Sequence, residues 1–328
     1  MTPNVVLVTG VGGYLGGNVA ARLAANPDVE RVIGVDTVPP ANPASLGRAE
    51  FFRVDIRNPL IAKVISSARV DTVVHAAPAA DPPGAARRAL AKELNVIGTM
   101  QLLAACQRSG TVRKLVVRST AAVYGTGSRS PAVFTEDDTP HALPAPGYAR
   151  DAAEIEGYVR GFARRRPDVV VTTLRLTSLI GPRVATMLTR YFAMPVVPTV
   201  LGHDARIQLL HAEDALAVLD RASTHDLPGV YNAGGDGVLM LSQAIRRAGR
   251  VPLPVPRQLI SSVARMPAEQ VRLLNDARVV DTGRLKTAFG FSPQWTTAGA
   301  FDDYLAGSGL RPPLDAPLAG LERRLRQA

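Results

Sequence analysis

Through the first half of the chain, short apolar runs rich in β-branched residues alternate with longer stretches whose apolar positions recur at helical spacing. VVLVTG (5–10) is such a run, closed by glycine, and its continuous apolarity predicts a strand buried on both faces. YLGGNVAARLAAN then predicts a helix, and RVIGVD (31–36) a second strand. The runs FFRVDI (51–56), VDTVVHAA (70–77), RKLVVRST (113–120) and VVVTTLRL (169–176) predict four more strands, with helical patterns at 58–69, 85–109 and 149–166. Such alternation predicts an α/β fold in which a doubly wound parallel sheet is covered by helices on both faces.

After Gly181-Pro182 the pattern changes: prolines become frequent and elements shorten. A smaller C-terminal substrate lobe is expected there, at the carboxyl edge of the sheet, where open α/β sheets bind ligands. HAEDALAVLD (211–220) and PGVYNAG (228–234) read as one more helix and strand, so the two lobes interleave. The expected division gives residues 1–180 to the larger domain, with 207–233 returning to it. It gives 181–206 and 234–310 to the smaller lobe, and 311–328 to a tail. VPLPVP (251–256) reads as an extended connector.

Composition narrows the class. With 46% apolar and 20% charged residues the chain has enough core-forming side chains to exclude global disorder. The single cysteine, Cys106, sits in LLAAC and reads as a small buried core residue, which fits a reducing compartment. No basic leader pattern precedes the first strand, and no apolar run reaches the ~20 residues that span a bilayer. A cytoplasmic protein without a membrane span is expected, and no metal site. The net charge of +10 raises nucleic acid as a partner, but the basic residues are scattered. Arg164-Arg165-Arg166 precedes Pro167 and closes a helix, where cations suit the dipole, and LERRLRQA reads as a solvated helix face. A small anionic ligand is the expected partner, and nucleic acid is not.

TGVGGYLGG supplies the strongest chemical signal. Gly10, Gly13 and Gly16 stand at G-x-x-G-x-x-G spacing between a strand and a helix that opens with Tyr14 and Leu15. Glycines there permit a tight turn and close approach of backbone to a pyrophosphate, whose charge the helix N-terminus favours. This is the dinucleotide-binding turn of a Rossmann domain. Asp36 ends the second strand, where its carboxylate accepts from adenosine ribose hydroxyls and repels a 2′-phosphate. No arginine follows in VDTVPP, so NAD is expected rather than NADP.

With these residues placed, the chain resembles the extended short-chain dehydrogenases/reductases, the NAD-dependent epimerases and dehydratases. The likeness runs through the glycine turn, Asp36, Asp55-Ile56-Arg57, His75-Ala76-Ala77, Asn95-Val96-Ile97-Gly98-Thr99 and Ser119-Thr120-Ala121-Ala122-Val123-Tyr124-Gly125. It continues through Tyr148, Leu174-Arg175-Leu176 with Gly181-Pro182, and Tyr231-Asn232-Ala233-Gly234. The wording of GRAEF, DIRNP and MLSQAIRRAGR is most similar to actinobacterial UDP-glucose 4-epimerase-like proteins. The resemblance implies that Asp55 and Ile56 lie beside the adenine, and that Ala76 and Ala77 pass under the pyrophosphate and ribose. It implies that Asn95 orders the central helix and that Ser119 stands at the cofactor. Thr120 and Tyr148 occupy the places of the family's catalytic Ser/Thr and tyrosine. Arg206, Gln208 and His211 match the segment that meets a nucleotide sugar.

Two positions depart from the family. The lysine expected four residues after Tyr148, which activates the tyrosine and binds the nicotinamide ribose, is Ala152. A phenol ordinarily ionises near pH 10, so losing that cation matters. Arg150 is no substitute, because two residues along a helix rotate it about 200° away. Ser178 stands where the family has an asparagine before Gly-Pro. Arg118, two residues before Thr120 in one strand, shares its face and is a candidate replacement cation. The expected function is a nucleotide-sugar epimerase or dehydratase with atypical activation of Tyr148. The alternatives are a non-catalytic NAD-binding regulatory protein, or a reductase of a non-sugar substrate with the apolar MPVVPTVL segment lining its pocket. Whether the helices after the fourth and fifth strands pair two copies into a homodimer is left open.

Overall fold

The computed structural model describes residues 4–76, 85–125, 130–138, 144, 147–264 and 278–310, with only the backbone of 85–88 and 264. Ala77 and the tail 311–328 therefore lie outside the described residues. The chain divides into two compact units. The first holds the described residues of Met1–Thr177, Ala212–Ala233 and Val280–Ser292, and the second those of Ser178–His211, Gly234–Val279 and Pro293–Ala328. Residues 212–233 thus return to the first unit, whereas 178–180 and 207–211, also expected there, belong to the second. Val280–Ser292, which the sequence reading placed in the smaller lobe, belong to the first unit; Val280 forms a bridge with Phe134, and Asp281 N–H donates to the Phe134 carbonyl at 2.7 Å.

The first unit is built on seven parallel strands: β1 (Val5–Thr9), β2 (Arg31–Asp36), β3 (Glu50–Arg53), β4 (Thr72–His75), β5 (Lys114–Thr120), β6 (Val170–Leu176) and β11 (Gly229–Ala233). Their order is β11-β6-β5-β4-β1-β2-β3, so the chain winds outward in both directions from β1 and β4. Buried runs in the central strands, such as Val6, Leu7 and Val8, explain the continuous apolarity of the sequence. One sheet face packs against α2 (Leu60–Ser67), α4 (Gly98–Arg108) and α5 (Tyr148–Arg165), in a core joining Ile33, Val35, Leu115, Val117, Leu102, Ile155, Val159 and Phe162. Cys106 belongs to this core, and burial pushes its thiol up to about 12. The other face carries α1 (Tyr14–Ala25) and α7 (Ala212–Thr224); the Ser223 carbonyl near the end of α7 and the His225 carbonyl just past it accept from the buried Lys114 ammonium.

Two expectations need correction here. The helix expected over 85–109 is α3 (Ala85–Lys92), a π turn (Glu93–Ile97) and then α4. At the junction Gly98 lies against Ile56, where an added Cβ would come within 2.7 Å of its side chain, and the Thr99 hydroxyl donates to the Asn95 carbonyl. In the second unit, VPLPVP is no connector: β13 (Val251–Val255) pairs in parallel with β8 (Val196–Val200). Pro252 and Pro254 are tolerated because their missing N–H groups fall on the open side of an edge strand. That unit also contains β7 (Ser178–Ile180) with β10 (Leu209–His211), and β9 (Arg206–Ile207) with β12 (Leu239–Met240). Its core joins Ile180, Tyr191, Phe192, Val197, Leu239, Phe301 and Tyr304. Among the described residues, no helix is long and apolar enough to cross a membrane.

Candidate dinucleotide and catalytic site

The turn between β1 and α1 has the geometry its glycines predict. Gly10 adopts φ +76°, a conformation L side chains rarely take, and its carbonyl accepts from Gly13 N–H at 3.1 Å. A Cβ at Gly16 would stand 2.2 Å from the Gly10 carbonyl oxygen, so α1 can lie this close to the turn only with glycine there. No side chain caps α1, and its first turn, beginning with Tyr14 and Leu15, carries no acid. Its N–H groups and dipole are thus turned to an anion. Beside the turn, the Asp36 carboxylate accepts from Gly12 N–H at 2.9 Å and from Val38 N–H at 3.2 Å. These bonds fix the acid at the rim of the turn. A turn that only glycines allow, at an uncapped helix N-terminus with an acid held at its edge, fits a dinucleotide.

The neighbouring residues serve this edge of the sheet differently. Asp55 is bound by Arg57, whose guanidinium donates to it at 2.6 Å and holds its carboxyl below the usual carboxylate range. Ile56 is buried against Gly98. Ala76, just past β4, is buried. Asn95 is buried in the π turn. His75, the last residue of β4, is buried between Thr9 and Thr99, with Nδ1 at 2.7 Å and Nε2 at 2.8 Å from their hydroxyls. The Thr99 hydroxyl gives its hydrogen to the Asn95 carbonyl, so it accepts from Nε2–H, and Nδ1 accepts from Thr9. Burial, with the Arg118 charge nearby, lowers this imidazole to about 4.

At the catalytic end, Thr120 closes β5 and its hydroxyl oxygen accepts from Ala122 N–H at 3.2 Å. Tyr148 is the first residue of α5, after Gly147 at φ +144°. Ala152 is 1% exposed and packs with Ala121, Val123, Tyr124, Phe134 and Val280. The place next to the helix head is therefore an apolar cluster, which contains part of the 280–292 segment. Arg150 lies 4.0 Å from Glu154 on its own helix. Strand alternation separates the residues of β5. Ser119 points to α5, where its hydroxyl donates to Glu156 at 2.6 Å, whereas Lys114, at an even position like Arg118 and Thr120, reaches the end of α7. The Arg118 guanidinium donates to the Ala76 carbonyl at 3.3 Å.

Sequence reasoning placed Ser119 at the cofactor; its hydroxyl joins a buried ionic network that the reading missed. Arg175 on β6 donates to both Glu156 oxygens, at 2.7 Å through one Nη, and to the Tyr124 hydroxyl at 2.9 Å. Tyr124 donates to Asn232 Oδ1 at 2.7 Å, and Asn232 N–H donates to Glu136 at 2.8 Å. The available signal was Glu156 itself, two helical turns past Tyr148 on the same face.

The four residues expected to meet a substrate lie in the second unit. Ser178 begins β7 and Arg206 begins β9, both exposed. Gln208 is buried and donates through Nε2 to the Gly235 carbonyl at 3.1 Å. His211 is buried, with Nε2 3.0 Å from Asp303 and its ring stacked 4.4 Å from Trp295. MPVVPTVL divides: Val197 is buried in the unit's core and Leu201 is exposed. Among the described residues, no group of three or more His, Cys, Asp or Glu could hold a metal ion.

The doubly wound sheet and its glycine turn define a dinucleotide-binding α/β protein. The model of the NAD dependent epimerase/dehydratase family matches residues 6–234. An uncharacterised protein of Mycobacterium tuberculosis is 51% identical over 324 residues, 95% of this chain and 86% of that protein. A probable UDP-arabinose 4-epimerase of Oryza sativa is 28% identical over 187 residues, 54% of this chain and 45% of that protein. The crystal structure of UDP-glucose 4-epimerase from Thermotoga maritima with UDP-glucose matches at TM-score 0.73 and 21% identity, over 92% of this chain and 98% of that one. The Bordetella bronchiseptica enzyme WbmG in complex with NAD matches at TM-score 0.72 and 20% identity, over 95% and 96%. These two likenesses show the fold. The chain belongs to the NAD-dependent epimerase/dehydratase family.

Proposed function

We propose that the protein binds NAD at the glycine turn and acts on a nucleotide sugar of the UDP-glucose type, as an epimerase or dehydratase with an atypically activated tyrosine. The observation that carries this reading is the intact cradle of Gly10, Gly13, Gly16 and Asp36, together with Tyr148 at the head of α5. NAD, when bound, supplies the acceptor and donor of the hydride. Asp36 receives ribose hydroxyls, and the first N–H groups of α1 receive the pyrophosphate. Asp55, Ile56, Ala76, Ala77 and Asn95 shape the adenine and ribose side. The Tyr148 hydroxyl moves the proton of the substrate hydroxyl, and Thr120 orients that group. Ser178 and Arg206 are the exposed groups of the second unit proposed to meet the sugar nucleotide, with Gln208 and His211 supporting them.

No cation stands one turn after Tyr148. Arg150 lies by Glu154, and Arg118, which donates to the Ala76 carbonyl, is the proposed replacement cation. Turnover roughly 10²-fold or more below that of a lysine-assisted site is expected. The closed apolar cluster around Ala152 favours a second reading, a non-catalytic NAD-binding regulatory protein. The proposed setting is the cytoplasm. Leu90, Ile97, Met100 and Tyr158, all exposed on α3, the π turn, α4 and α5, support a second copy as partner.

The test is to denature the purified protein, identify released ligands by mass spectrometry, and assay epimerisation of UDP-glucose. Released NAD with turnover abolished by Tyr148→Phe supports the enzyme. NAD with no turnover on any nucleotide sugar supports the regulatory reading.

A further inference from the structure

We propose that Arg53, acting beside Asp36, sets how strongly the cofactor site discriminates between NAD and NADP. The inference rests on the reading of Asp36 as the ribose-binding acid. β2 and β3 run in parallel with Asp36 opposite Arg53. Paired residues of neighbouring strands lie about 4.8 Å apart and present their side chains to the same face. That face is the one bearing the glycine turn. Gly34, two residues before Asp36, lies against the Val11 side chain, whereas Ile33 and Val35 join the core on the α2 and α4 side.

The two side chains are held in different ways. The Asp36 carboxylate is turned to Gly12 and Val38. Arg53 is exposed, and its Nε donates to the Thr37 carbonyl at 3.0 Å. That bond fixes the guanidinium at the first residue past the acid and leaves its Nη hydrogens for an oxyanion. The sequence signal for NAD was the acid together with the absence of arginine in VDTVPP. The fold brings an arginine to that place from the next strand, so the site carries both charges. The carboxylate repels a 2′-phosphate and the guanidinium attracts it. Exclusion of NADP therefore depends on the Asp36 charge, which acts against a phosphate receptor that is already assembled.

The test measures NAD and NADP affinity by calorimetry on the full chain. It compares the wild type with Asp36→Asn, Arg53→Ala and the double variant, checking each fold by thermal melting. Asp36→Asn is expected to tighten NADP by roughly 10-fold or more, the range of a charge-assisted contact. Arg53→Ala is expected to weaken NADP roughly 10-fold more than NAD, and to erase the gain in the double variant. An equal NADP gain with and without Arg53 would overturn the inference, and so would an Arg53→Ala effect no larger on NADP than on NAD. Should Asp36→Asn not fold, the Arg53→Ala comparison in the wild-type background decides alone. A folded wild type that binds neither dinucleotide would contradict the cofactor reading and this inference together.

Discussion

His75 shows how single side chains tie the site edge to stability. Its imidazole is held neutral between Thr9 and Thr99, with a folded pKa of about 4 against an unfolded value of 6.5. Between pH 6.5 and 4 the unfolded chain takes up a proton that the folded one refuses, so stability falls as pH drops through that window. The loss amounts to about 3 kcal/mol. Denaturant midpoints measured from pH 7 to pH 4 should decline in the wild type and decline less in His75→Gln. At Gly16, an added methyl would overlap the Gly10 carbonyl, so Gly16→Ala should lose dinucleotide binding and lower the melting temperature by several degrees. The glycines and Asp36 were legible in the sequence because their chemistry is local. The packing of Ala152 was not, since Phe134 and Val280 reach it from distant segments. Ala152→Lys should accordingly destabilise by about 1–3 kcal/mol through overpacking and should not restore fast turnover, which melting and initial rates would check.

At the scale of elements, the Glu156–Arg175 pair joins α5 to β6, with Ser119 of β5 as a third member. Both charges are buried, so removing one leaves the other uncompensated. Glu156→Gln should cost about 3–5 kcal/mol in urea unfolding, while removing the exposed Arg160 from the same helix should cost under about 1 kcal/mol. The central strands of the first unit were legible because buried parallel strands read as continuous apolar runs, whereas β3, mostly exposed, begins at Glu50 and ends at Arg53 rather than running over 51–56. The break of the long helix at Glu93–Ile97 was not legible, because no local residue pattern marks it; the close approach of Gly98 to Ile56 just after it involves a distant segment. β13 was missed for another reason. Its prolines argue against a strand unless they alternate on the open side of an edge, and that placement depends on pairing with β8.

At the scale of the molecule, the segment Val280–Ser292 returns to the first unit and joins the packing around α5, an arrangement no local pattern announces. The division of labour proposed here gives the dinucleotide to the first unit and the sugar nucleotide to Ser178 and Arg206 of the second. A homodimer through the exposed side chains of α3 to α5 would appear in light scattering as twice the chain mass, and Ile97→Glu with Met100→Glu should return it to a monomer. The central claim is that the glycine turn with Asp36 is a working NAD site. Titration calorimetry of the folded chain, stripped of any copurified nucleotide, tests it most directly. The account predicts saturable binding of one NAD per chain, lost in Gly16→Ala. A folded wild-type chain that takes up no NAD at saturating concentration would contradict it.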